Sequence, residues 1–215
     1  MKATKITLSL LAAAAALSPA AGALAATSGP IEAFVVSTVR PDGPRQFDGS
    51  LSQLFFNVQG ENNGQFANYG VARFDLGGLD LSLATIDSVS LDLYESNAGF
   101  TTDGQVAVYY SDQDNVDIET GGTANVQYVP NGNAPFANDF TDTVLVGGDF
   151  FEQTADGALE FYTIGQNLQS FADDDGIITL VFAEFNDPAV AATYAGLGNS
   201  AGPGPTLTIN FTPVP

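Results

Sequence analysis

Chemistry that needs oxygen ligands has its densest foothold at Asp112, Asp114, Asn115, Asp117 and Glu119. Carboxylate and amide oxygens at short spacing suit a hard cation such as calcium. The run opens like an EF-hand loop. However, its fifth position is Val116 where Asp or Asn is wanted, its sixth is Asp117 where the turn needs glycine, and its twelfth is Thr123 where a bidentate glutamate is needed. An EF-hand is therefore excluded. A calcium site of another kind built on Asp112, Asp114 and Asp117 stays open beside the plainer reading, a solvated acidic loop. Asp173, Asp174 and Asp175 before Gly176 read mainly as a turn.

Paired carboxylates also serve glycoside hydrolysis, in which one acid protonates the leaving group and a second attacks or activates water. With 25 acidic residues some pair meets that spacing by chance, and there is no tryptophan to stack on a sugar. Arg73 is one of three cations, with Arg40 and Arg45, outside the first few residues. It lies within a strand-like run, so a bidentate pair with Asp75 at i+2 is expected, with grip on a ligand as the alternative. Tyr109, Tyr110, Tyr128, Tyr162 and Tyr194 could form a flat sugar platform or fill a core. For Phe55, Phe56, Phe74, Phe161 and Phe182 the core is expected.

The rest of the composition is mostly exclusion. Histidine and cysteine are both absent. Catalytic triads, zinc fingers, haem, iron–sulfur clusters and disulfides all lose the groups they require. The formal charge of −20 repels phosphate backbones and anionic headgroups, so nucleic acid and direct membrane binding are disfavoured. A 45% apolar share with 14% charged residues is that of a chain with a core.

Strands must position whatever site exists. Val89, Leu91 and Leu93 alternate with polar residues, as do Leu207, Ile209 and Phe211, and again Val106, Val108 and Tyr110. Residues 177–185 are almost continuously apolar and predict a strand buried on both faces. Asp-Gly, Asn-Gly and Gly-Gly pairs punctuate about ten such runs. One segment breaks the rhythm: Ile164, Leu168 and Phe171 recur at helical spacing and predict a short helix over 163–171. The fold expected is all-β, a two-sheet antiparallel sandwich of jelly-roll or immunoglobulin-like kind, with a closed barrel as its main competitor.

Residues 1–25 read as a secretory signal peptide: Lys2 and Lys5, an apolar run over 6–16, then Ala23-Leu24-Ala25. Residues 26–215 are then a single domain, and with 25 acidic residues against three arginines its formal charge is −22.

The segment Tyr69-Gly70-Val71-Ala72-Arg73-Phe74-Asp75-Leu76-Gly77-Gly78-Leu79, followed by Ile86-Asp87-Ser88-Val89-Ser90-Leu91-Asp92-Leu93-Tyr94, resembles the exported β-sandwich domains named DNRLRE. Their pattern is an Arg-Phe-Asp-Leu strand, a short turn and an I-x-S-A-x-L-x-L-Y strand. Phe211-Thr212-Pro213-Val214-Pro215 resembles the start of the Val-Pro-Glu-Pro sorting signal of PEP-CTERM proteins, which are exported by bacteria that make exopolysaccharide. These resemblances imply a carbohydrate-associated, non-catalytic module of the cell surface.

The expectation is thus a secreted, acidic, non-catalytic sandwich of the cell surface or extracellular matrix, associated with polysaccharide or another matrix protein and stabilised by calcium. The alternatives are a self-associating filament or sheath subunit that adds strands edge to edge, and a carboxylate-dependent glycan-cleaving enzyme.

Overall fold

The computed structural model describes residues 24–40, 43–44, 46–47, 50–51, 53–116, 118, 127–128, 136–137, 140, 142–172 and 176–214. Residues 1–23, most of the expected signal segment, lie outside them. In chain order the strands are β1 (Ala26–Arg40), β2 (Gly43–Pro44), β3 (Gln46–Phe47), β4 (Ser50–Leu51), β5 (Phe55–Gln59), β6 (Tyr69–Asp75), β7 (Ala84–Tyr94) and β8 (Gly104–Ser111). They continue as β9 (Gln127–Tyr128), β10 (Phe136–Ala137), β11 (Val144–Phe151), β12 (Leu159–Ile164), β13 (Ile177–Glu184), β14 (Ala191–Ala195) and β15 (Thr206–Pro213).

The protein is a closed antiparallel barrel, and the expected sandwich is corrected accordingly. The order β15-β7-β12-β11-β8-β13-β6-β1 returns to β15, giving eight strands in the ring. The cause is β1, which is 15 residues long and serves two partners. Its first half pairs with β15, from Ala26 opposite Phe211 to Glu32 opposite Thr206. After a register shift between Ala33 and Val35 its second half pairs with β6, ending at Val39 opposite Tyr69. A sandwich would leave that strand in one sheet or the other; here it bends across the gap and removes it.

Two cores account for two kinds of sequence pattern. Val89, Leu91, Leu93, Leu207, Ile209, Phe211, Val106, Val108 and Tyr110 all point into the barrel and pack in one cluster. A second cluster lies outside it, on the outward faces of β1, β6, β13 and β8: Val35, Val39, Tyr69, Val71, Tyr109 and Val181 are covered by Ile118 and Phe140 from the excursion between β8 and β11. Each of those two anchors is fully buried, which contributes about 2 kcal/mol apiece. Strands under this cover are buried on both faces, so residues 178–183 of β13 are all buried and apolar but for Thr179. Strands β7, β12 and β15 have water on the outside and alternate.

The expected helix over 163–171 is also corrected. Asn167 takes a left-handed conformation (φ 49°) and leads a single 3-10 turn, Leu168–Phe171, whose Phe171 plugs the core. The described helical segments are all 3-10 turns. β14, Ala191–Ala195, is a strand the alternation pattern does not reveal, because its Ala-rich sequence carries little strand preference. It pairs with β5 as a two-stranded sheet. Isolated bridges tie that sheet to the strand ends around it, Glu95 to Tyr194, Thr102 to Ala191 and Gln59 to Asn68. The pair plugs the mouth of the barrel where β7 ends and β6 and β8 begin.

Candidate functional site

The acidic loop expected to hold calcium is built as an anchor. Arg73 and Thr179 are paired across β6 and β13, and Thr179 lies opposite Ser111 of β8, so the three form a row on the covered outer face. Arg73 Nε donates to Thr179 Oγ1 (3.2 Å), whose hydroxyl donates to Asp114 Oδ1 (2.6 Å). Arg73 Nη2 donates to the carbonyls of Val116 (2.7 Å) and Gln113 (3.4 Å). Ser111 Oγ and the Asp112 N–H donate to the carboxylate of Asp142 at 2.8 and 2.7 Å. Burial opposes ionisation of Asp142, but hydrogen bonds from Asp112 and Ser111 outweigh it and hold its carboxyl below its ordinary value. Arg73 does not pair with Asp75, as the i+2 spacing predicts. It is buried, while Asp75 is exposed and accepts from the Gly77 N–H at 2.8 Å. Asp117, Glu119 and the run 173–175 lie outside the described residues. Among the described residues no three acidic side chains are grouped to hold a metal ion.

The tyrosines divide similarly. Tyr109, Tyr110, Tyr162 and Tyr194 are buried, so they form no platform; the side chain of Tyr128 is outside the described set. Tyr162 and Tyr194 share a hydroxyl–hydroxyl hydrogen bond of 2.6 Å within the core, and burial raises both above the ordinary tyrosine range. Phe56, Phe74 and Phe182 are core, as their strands predict. Phe161 is 53% exposed and Phe55 half-buried, which corrects the reading of both as core residues.

The mouth of the barrel carries features with less trace in the sequence. β11 and β12 meet at a single register pair, Gly147 opposite Ile164. At Gly147 the strands come so close that a Cβ would stand 2.5 Å from the Thr163 carbonyl oxygen. Beyond this point they diverge, and carboxylates occupy the seam. Glu95 is fully buried. Its Oε2 accepts from the N–H groups of Thr154 (2.8 Å) and Ala155 (2.7 Å), and its Oε1 lies 3.1 Å from the Thr101 hydroxyl. The side chain thus takes up backbone donors that a neighbouring strand would otherwise satisfy. Glu160 is half-buried on the inward-facing side of β12. Burial first, then the charges of Glu95, Glu152 and Asp149, push its carboxyl from 4.5 up to about 7, against a stabilising Glu152 N–H.

Beside this seam is an open cleft of about 570 Å³ lined by Phe55, Ser96, Asn97, Asp156, Asn199 and Ser200. Three loops build it. The loop 152–158 is held by Glu95, and Asp156 Oδ1 in turn accepts from the Ala98 N–H at 2.7 Å. Asn97 sits at φ 59°, a left-handed turn that asparagine tolerates. The loop 196–205 is drawn against β5 by a hydrogen bond from the Gly196 N–H to the Leu54 carbonyl (2.8 Å), at a contact where a Cβ would collide with the Gln53 carbonyl. There Asn199 donates to the Leu54 carbonyl and to Ser96 Oγ (3.1 Å) and accepts from the Ala201 N–H (2.7 Å). Asp156 is the one carboxyl in the described lining.

The outward face of β15, β7 and β12 is different again. Neighbouring strands place Thr206 beside Asp92 beside Phe161, and Thr208 beside Ser90 beside Thr163, with Leu159 beside Tyr94 above them. Leu159 and Phe161 are each 53% exposed. Neither a family model nor a curated protein sequence matches the chain.

Proposed function

We propose that the protein is an exported, non-catalytic β-barrel of the cell surface or extracellular matrix that associates with polysaccharide. The observation that carries this reading is the outward face of β15, β7 and β12, where threonine and serine hydroxyls stand around the Asp92 carboxylate with two exposed apolar side chains set among them. Hydroxyls exchange hydrogen bonds with sugar hydroxyls, a carboxylate accepts them, and apolar side chains cover the C–H faces of sugar rings. The interior supports the same reading, because Tyr162, Tyr194, Phe56, Phe151 and Leu91 fill it and leave partners to the surface. The charge of −20 favours neutral glycans over acidic ones.

Affinity electrophoresis through gels containing neutral and acidic polysaccharides tests the proposal. Retardation by at least one neutral polymer, weakened by Phe161→Ser, is expected. Uniform migration across the panel would remove the reading.

A further inference from the structure

We infer that the cleft formed by Phe55, Ser96, Asn97, Asp156 and Ser200 is a subsite for an uncharged sugar residue, bound through two neighbouring hydroxyls with one ring face on Phe55. This rests on the polysaccharide reading above and assigns it a place and a ligand class, separate from the β15–β7–β12 face. The argument starts from the hydrogen-bonding capacity that the fold leaves unused. Asp156 commits one carboxylate oxygen to the Ala98 N–H and makes no other hydrogen bond among the described residues. The Asn97 amide, held out by a left-handed backbone, makes none, and neither does the exposed Ser200 hydroxyl. Ser96 Oγ accepts from Asn199 and keeps its own proton to donate. The cleft therefore offers donors and acceptors side by side, which matches a vicinal diol, whose hydroxyls each give and receive.

Charge narrows the ligand further. The carboxyl in the lining and the buried Glu95 behind it disfavour uronic acids, sulfated sugars and phosphates. An ammonium ligand would find a single carboxylate already half committed. The half-buried Phe55 ring supplies the apolar contact that a pyranose face needs and a simple cation or water cluster does not. The backbone of the loops that carry these groups is also pre-positioned. Glu95 pins the 152–158 loop through two backbone N–H groups, Asp156 pins Ala98, and Asn199 pins the third loop. Little backbone ordering is left for binding to cost, with the Asn97 and Ser200 side chains still to be ordered.

The test uses the full domain, with neutral tri- to hexasaccharides released from whichever neutral polysaccharide retards the wild type, and galacturonate oligomers as the charged comparison, followed by isothermal titration and amide chemical shifts. Asn97→Gly keeps the left-handed turn and removes the amide, and Ser200→Ala removes the hydroxyl; neither side chain supports the fold. The double variant is expected to lose about tenfold or more in affinity, from two missing hydrogen bonds. Shifts in the wild type should centre on Ser96–Asn97 and Asn199–Ala201. If the wild type binds the oligosaccharides and the double variant binds equally well, or the shifts centre on β12 and β15, the subsite is wrong while the polysaccharide reading stands. If galacturonate oligomers bind as tightly as neutral ones, the ligand class is wrong. Absence of all retardation would instead remove the reading on which the subsite rests.

Discussion

Replacing Glu160 by glutamine should stabilise the protein at alkaline pH and have little effect in acid. The side chain projects inward from β12 near Glu95, Glu152 and Asp149, so its own partial burial and these three charges oppose its ionisation. Its carboxyl is raised from 4.5 to about 7 in the folded chain. A group raised on folding contributes stability that is fully present below its unfolded value and is lost as pH climbs through its folded value. The penalty therefore develops between pH 4.5 and pH 7 and is complete above that. Each tenfold change in proton affinity is worth about 1.4 kcal/mol, which sets a ceiling of about 3 kcal/mol. Glu160 is only half-buried, and screening by water reduces this to about 1–2 kcal/mol. For a domain of this size that corresponds to about 3–6 °C in Tm. The assay is thermal unfolding by circular dichroism at fixed ionic strength, at pH 4 and pH 8, on the wild type and Glu160→Gln. The two should coincide near pH 4, and the variant should melt about 3–6 °C higher at pH 8. Curves separated by a constant offset would refute the reasoning, because they would show that Glu160 keeps the same charge on both sides of the transition.

The Tyr162–Tyr194 hydroxyl pair gives a double-mutant cycle: either Tyr→Phe change alone strands a buried hydroxyl and should cost about 1–2 kcal/mol by urea unfolding, while the double change should cost far less than the sum. Additive costs would mean that each hydroxyl has its own partner. Gly147→Ala should lower stability by about 2–3 kcal/mol, since the new methyl meets the Thr163 carbonyl and Ile164 Cα across β12, while Gly165→Ala, with open space around it, should stay within about 0.5 kcal/mol. Calcium should raise Tm by no more than magnesium does, because Asp114 and Asp142 already spend their oxygens on Thr179, Ser111 and the Asp112 N–H. A saturable, calcium-specific rise would show that the acidic loop closes around an ion after all.

The core was legible because alternation is a local property. Val89, Leu91 and Leu93 have one apolar face, and a strand has only one way to bury it. Residues 177–185 carry a different local signal, an almost unbroken apolar run, and 178–183 are buried on both sides while Phe185 is exposed; what covers the outer side, Ile118 and Phe140, comes from a segment with little regular pattern. Closure was not legible. It depends on a register shift within β1 that lets one strand hold two partners, and no local signal distinguishes such a strand from an ordinary long one. β12 shows how alternation alone can mislead. Leu159, Phe161 and Thr163 form one face and Glu160, Tyr162 and Ile164 the other, each with two apolar residues and one polar. The barrel took the face with the glutamate, and so Phe161 went to water. The cleft was invisible for a third reason: Asn97, Asp156 and Asn199 are brought together by loops far apart in the chain, with no spacing to search for. Arg73 is conspicuous for its rarity, but partners such as Thr179 and the Gln113 and Val116 carbonyls lie on a strand and a loop that only the topology brings near.

The pairing of β1 with β15 also sets an order of events. The ring joins the first described strand to the last, so residues 26–32 have no neighbour on that side until residues 206–211 have been made. A growing chain must carry an exposed, β-prone segment until those residues emerge, and the pairing then closes a loop of long sequence separation. Glu32 and Pro30 stand on that waiting segment, one a charge and the other a residue that cannot donate a ladder hydrogen bond. Both discourage a second nascent chain from docking there first. Maturation of this barrel should accordingly be limited by the arrival of β15, and chains cut short before Thr206 should accumulate as aggregates.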